Sequence, residues 1–207
     1  MNKIIIIVFA MITVMPCHIF GQNVPNYEIS INGKTYDISL GRDYQIKADS
    51  GETLNLRVNK KAVMTYKNGY ISFQHKSDLA ISSIELDNGI RQTMTNTAVG
   101  TLVLIQEYSN MNPASLVNLM LQELTKEQIN YGYKMQKEAY SKALKDGTKV
   151  AGKRAILKYN DEEEYWTVLA YGKKDRGLLV ITKIDKENLE TEKNIIELMW
   201  ETLQIEM

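Results

Sequence analysis

Lys149-Val150-Ala151-Gly152 opens the stretch on which the fold turns. Lys153 to Tyr159 follow, then an acidic link Asp161-Glu162-Glu163-Glu164, then Tyr165 to Tyr171. A polar link from Gly172 to Gly177 leads into Leu178 to Ile184. Three strand-like runs joined by two short polar links predict a β-meander. Ala155, Leu157 and Tyr159 alternate with Arg154, Ile156 and Lys158, the period of two of a sheet with two different faces. Leu178-Leu179-Val180-Ile181 is apolar on both sides, which suits a central strand.

On the N-terminal side almost everything reads as β. Tyr27 to Ile31 alternates, Asn32-Gly33 turns, and Thr35 to Leu40 returns. Asn-Gly between alternating runs is a strong hairpin signal, because both turn positions want positive φ. Tyr44 to Ala48 and Thr53 to Val58 flank Asp49-Ser50-Gly51-Glu52, with Leu54, Leu56 and Val58 on one face. Val63 to Lys67 and Tyr70 to His75 flank Asn68-Gly69, and Ile81 to Leu86 and Ile90 to Thr95 flank Asp87-Asn88-Gly89. Thr101 to Tyr108 is a further strand. At Asn112 the period changes. Asn112 is an N-cap residue, Pro113 suits a first helical position, and an apolar stripe predicts a helix from Pro113 to about Asn130, ending near Gly132. Tyr133 to Lys145 stays open between helix and strand. Beyond the meander, Ile195, Ile196, Met199, Trp200 and Leu203 form one side of a terminal helix, with Glu192, Lys193, Glu197 and Glu201 on the other.

The first residues have a different character. Lys3, an apolar run from Ile4 to Met15 and the breaker Pro16 make a secretory signal peptide over residues 1–22, with cleavage expected at Gly21 or Gln22. The rival reading is a lipoprotein acylated on Cys17, against which Pro16 occupies the place of the small residue such a site wants. Removal of the signal takes Cys17, His18 and Lys3 and leaves no cysteine and one histidine, His75. That excludes a disulfide framework, a cysteine nucleophile and a thiolate or multi-histidine metal site. The expected organisation is signal peptide 1–22, an N-terminal β-hairpin lead-in 23–60 and an α+β domain 61–207. In that domain a largely antiparallel sheet carries two main helices.

Four short runs carry a family resemblance: Tyr70-Ile71-Ser72-Phe73, the helix after Asn112-Pro113, Gly152-Lys153-Arg154-Ala155 and Trp200-Glu201-Thr202-Leu203-Gln204-Ile205. In this order the chain resembles the PsbP-like α/β/α sandwich family over roughly residues 66–205. That family includes an extrinsic photosystem II subunit, a nuclear Ran-binding protein and many exported bacterial proteins. The resemblance implies a binding or assembly module and brings no catalytic motif. A fold alone does not fix a function.

Lys plus Arg and Asp plus Glu are equal at 25 each, which gives no electrostatic reason for a nucleic-acid partner. His75 with Ser72 or Ser77 and Asp78 would supply a hydrolase set, but no nucleophile-elbow motif accompanies them. The acids 161–164 lack the alternation and glycine of a calcium loop and read as a solvated turn. Gly172-Lys173-Lys174-Asp175-Arg176-Gly177 lacks the Gly-Lys-Ser/Thr of a phosphate loop. Twelve tyrosines against three phenylalanines is a tilt toward rings that give both contact area and a hydrogen bond. Tyr133, Tyr165, Trp166 and Tyr171 are the candidate binding residues. The expectation is an exported, non-enzymatic envelope protein, without cofactor or metal, that binds another envelope protein in assembly or immunity. The alternative is a carrier of a small apolar ligand between sheet and helices, lined by Met111, Met120, Met135 and Met199.

Overall fold

The structure is a computed structural model, and it describes residues 25, 27–48 and 50–207. Residues 1–22, read above as a signal peptide, with Cys17 and the expected cleavage point, lie outside the described residues, as does Asp49. Among the described residues no helix is long and apolar enough to cross a membrane. The chain divides into two compact units, one up to Lys60 and one from Lys61 to Met207.

The first unit consists of two antiparallel hairpins. β1 (Tyr27–Ile31) pairs with β2 (Lys34–Ile38), and β3 (Asp43–Lys47) with β4 (Thr53–Arg57). Asn32 and Gly33 have φ of 50° and 79°, so both residues of the first turn lie in the left-handed region. The Tyr44 hydroxyl oxygen accepts the Ser39 amide at 2.7 Å.

The second unit begins with β5 (Val63–Lys67) and β6 (Ile71–Lys76). Here Asn68-Gly69 is not a two-residue turn. The last pair is Lys67 with Ser72, and the Asn68 side-chain oxygen accepts the amides of Tyr70 and Ile71 at 2.8 and 2.9 Å. The Asn68 side chain thus braces a turn that its own amide also closes by donating to the Ile71 carbonyl at 3.0 Å. β7 (Ser82–Leu86), β8 (Ile90–Asn96) and β9 (Leu102–Tyr108) follow. The predicted long helix is interrupted. A 3₁₀ turn at Pro113–Leu116 leads into α1 (Val117–Leu124), Thr125 breaks the run, and α2 (Lys126–Tyr131) completes it. Thr125 is fully buried and its hydroxyl donates back to the Leu121 carbonyl at 2.8 Å, the local competition that bends helices. Asn112 caps the start by accepting the Ala114 amide, and Gly132, with φ of 119°, closes the end.

The open segment is a strand, β10 (Lys134–Ala143). The alternation of Tyr133 and Met135 prevails over the helical leaning of Lys, Ala and Glu because a ten-residue ladder to β11 (Lys149–Tyr159) satisfies the backbone. β12 (Glu162–Gly172) and β13 (Gly177–Asp185) complete the meander. The first link is shorter than predicted. Tyr159 pairs with Glu162, so only Asn160 and Asp161 turn, and Glu162, Glu163 and Glu164 belong to β12. α3 (Leu189–Thr202) and β14 (Gln204–Ile205) end the chain. The helix does not reach Ile205. The Thr202 hydroxyl donates to the Leu198 carbonyl and accepts the Gln74 amide, and Gln204 and Ile205 turn away to pair with β6.

One antiparallel sheet of seven strands has the order β10-β11-β12-β13-β9-β8-β7, which puts β13 in the centre, with Leu178 to Ile181 fully buried. Its two faces carry two cores. Val103, Ile105, Leu169, Leu178 and Val180 pack with Ile71 and Phe73 of the small sheet β14-β6-β5 and with Met199, Trp200 and Leu203. Leu104, Ala155, Leu157, Trp166, Val168, Leu179 and Ile181 pack on the other face with Val117 and Leu121 of α1. This is α+β, largely antiparallel, with helices on both faces.

Candidate functional site

Tyr131, at the end of α2, is followed by Gly132 and by Tyr133 at the threshold of β10. Directly across the ladder, Tyr159 ends β11. The three rings form one stack: Tyr131 lies 5.1 Å from Tyr159, edge-on, and Tyr133 lies 5.3 Å from Tyr159, nearly parallel. A side chain at Gly132 would reach the Tyr159 ring at 3.3 Å, so the glycine both ends the helix and leaves room for the stack. Tyr131 is 69% exposed.

The acids at the start of β12 straddle this end of the sheet, because successive strand residues point to opposite faces. Glu162 and Glu164 share the face of the stack. The Tyr133 hydroxyl donates to Glu162, and the Trp166 indole donates to Glu164 at 2.9 Å. The bond to Glu162 pushes the Tyr133 phenol up to about 12. Glu163 points the other way and accepts the Tyr165 hydroxyl at 2.6 Å, with Lys158 and Lys186 each 3.3 Å off. The Tyr165 hydrogen bond, reinforced by the two lysines, holds the Glu163 carboxyl below its usual range. The run 161–164 is therefore a solvated turn only at Asp161, and its three glutamates are strand residues, each with a specific donor. Together with Asp161, Asp185, Lys186 and Glu187 they line a groove of about 570 Å³ beside Tyr133. Among the described residues no group of three or more His, Cys, Asp or Glu is arranged to hold a metal.

The four residues singled out in the sequence do not form one patch. Trp166 is buried in the core beneath α1, Tyr133 stands at the rim on the same face, and Tyr165 and Tyr171 project from the opposite face. Tyr171 packs against the α3 core. Sequence reading passed over Tyr131 and Tyr159 as binding residues. Both were among the tyrosines clustered near the meander, and only the β10–β11 register brings them onto Tyr133. The methionines expected to line a ligand pocket are divided between the two faces of the sheet: Met199 is buried at 2% exposure with α3, while Met111, Met120 and Met135 pack beside the α1 core. His75 lies at the end of β6, its Nδ1 2.9 Å from the Lys76 carbonyl oxygen, and the Ser72 hydroxyl donates to Gln204.

No family model matches the chain, and no curated protein matches it. Among solved structures the chain is similar to the solution structure of cyanobacterial PsbP from Synechocystis sp. PCC 6803, at 9% identity and a TM-score of 0.44. The match spans 72% of this chain and 95% of that one.

Proposed function

We infer that this chain is an exported, non-enzymatic module of the cell envelope, and that it serves assembly or immunity by docking a basic segment of another envelope protein. The observation that carries the reading is the exposed Tyr131 ring against half-buried Tyr133 and Tyr159, beside a groove with six carboxylates and one lysine. Tyrosine faces attract cationic groups, and carboxylates steer them. Exposed aromatic anchors ringed by polar groups are also where interface energy concentrates. Export rests on the run from Lys3 to Pro16, and the absence of enzymatic chemistry on the single histidine left after signal removal.

The test is capture from envelope fractions with the wild-type chain and with a Tyr131→Ala, Glu162→Lys double variant. A reproducible partner should bind the wild type, weaken with added salt, and be lost with the variant. Recovery of no reproducible partner, or of the same partner by both chains, would count against this reading.

A further inference from the structure

Asn-Gly occurs three times in the chain, at Asn32-Gly33, Asn68-Gly69 and Asn88-Gly89. The pair is chemically fragile as well as a turn signal, because asparagine is thermolabile and a glycine after it leaves its amide nitrogen unshielded. That nitrogen can attack the asparagine Cγ. A C–N bond then closes a five-membered succinimide, and the side-chain nitrogen departs as ammonia, taking up the proton that the amide loses. Water opens the ring. Opening at Cγ leaves aspartate, and opening at the main-chain carbonyl leaves isoaspartate, with an extra carbon in the main chain. Ring closure requires a side chain free to rotate and a peptide plane free to turn.

The fold treats the three pairs differently. Asn68 is held at both ends of its side chain. Its oxygen accepts the Tyr70 and Ile71 amides, and its nitrogen donates to Glu107 at 2.8 Å and to the Tyr66 hydroxyl at 3.4 Å. These bonds must break before its Cγ meets the Gly69 nitrogen. At Asn88 the bonds fall on the backbone instead. Its carbonyl accepts the Asn110 side chain at 2.9 Å, and the Gly89 carbonyl accepts the Ser109 amide and hydroxyl. Asn32 is exposed, and beyond its chain neighbours nothing lies within 4 Å of where a Cβ on Gly33 would stand. Among the described residues no hydrogen bond holds the Asn32 side chain or the peptide between Asn32 and Gly33, and the turn is closed by the pairing of Ile31 with Lys34. We propose that Asn32 is a site of spontaneous deamidation to aspartate and isoaspartate, that Asn88 converts more slowly, and that its four side-chain bonds protect Asn68 while the second unit stays folded. A carboxylate at position 68 would face the Glu107 carboxylate where an amide now donates, so conversion there would replace an attraction by a repulsion. At position 32 isoaspartate lengthens a two-residue turn that sets the β1–β2 register.

The test is peptide mapping of the full chain by mass spectrometry after incubation in mildly alkaline buffer, once folded and once in guanidinium chloride. Replacement of the side-chain amide by a carboxyl marks conversion, and a separately eluting isoaspartyl peptide marks the succinimide route. In the folded chain Asn32 should convert first and Asn68 at least about tenfold more slowly, with Asn88 between them, because a held site reacts only after local opening. In denaturant the three should converge on comparable rates, since each precedes a glycine. A folded chain in which Asn32 does not convert, in which Asn68 keeps pace with it or in which Asn88 leads would overturn the proposal. So would an order that persists unchanged in denaturant, or aspartate without isoaspartate at position 32, the outcome of direct hydrolysis.

Discussion

The hydroxyl of Tyr133 donates to the carboxylate of Glu162 across the end of β11, so that the entry to β10 is tied to the start of β12. The bond needs the phenol proton, which is why the Tyr133 phenol, ordinarily at 10.0, is raised to about 12. A group with a higher pKa folded than unfolded contributes stability that is fully present below its unfolded value and is lost as pH rises through its folded value. This tie should therefore hold to pH 10 and fail toward 12. An absorbance titration of the tyrosines should show a late-ionising phenol that disappears in Tyr133→Phe. An unchanged high-pH tail in that variant would refute the assignment.

Glu107 should leave its own mark on the pH dependence of stability. Burial raises its pKa above 4.5, the Asn68 bond and Arg91 work against that rise, and Glu85 adds to it. The folded state then holds this proton more tightly than the unfolded chain does. The group's contribution is greatest below about pH 4.5 and declines as pH rises through the folded value. Denaturant midpoints measured against pH should show wild type losing ground to Glu107→Gln over that interval. A difference between the two chains that does not change with pH would contradict this.

Met199 and Glu197 sit on one helix with opposite consequences. Met199 is 2% exposed in the α3 core, and its truncation to Ala should cost about 2–5 kcal/mol through the cavity left behind. Glu197 makes only an exposed pair with Lys193 at 2.9 Å, so Glu197→Ala should cost about 0.5 kcal/mol or less. Chemical denaturation giving the same midpoint for both variants would show that α3 does not pack on this core.

Gly152 stands opposite Leu169 in the β11–β12 ladder. A Cβ there would stand 2.2 Å from the Val168 carbonyl oxygen, a backbone atom with no room to retreat inside a seven-stranded sheet. Gly152→Ala should destabilise by at least about 1–3 kcal/mol. A wild-type denaturation midpoint would mean that the two strands can part at little cost.

The proposal of export predicts a mature chain that begins near Gln22 or Asn23 and carries no lipid. Intact mass and N-terminal sequencing decide this. A diacylglycerol on Cys17 would make the protein a lipoprotein and end the reading of a freely exported module.

Much of the fold was legible in the sequence because its signals are local. The alternation around Leu157, the two-sided apolar run Leu178 to Ile181, the positive-φ pair Asn32-Gly33 and the cap at Asn112 each depend on neighbours within a few residues. Three features were beyond that range. Residues 134–143 became a strand because β11 offered a ladder, and the glutamates 162–164 became strand residues because the register placed the turn at Asn160-Asp161. The terminal helix stopped at Thr202 because Gln74, far away in sequence, needed an acceptor. The same holds for side chains that meet. Tyr131, Tyr133 and Tyr159 meet only through the β10–β11 pairing, and Glu85, Arg91 and Glu107 only through three strands brought side by side. Residue type and local period fix which elements form, whereas contacts distant in sequence fix which side chains share a surface, and only the tertiary structure supplies those.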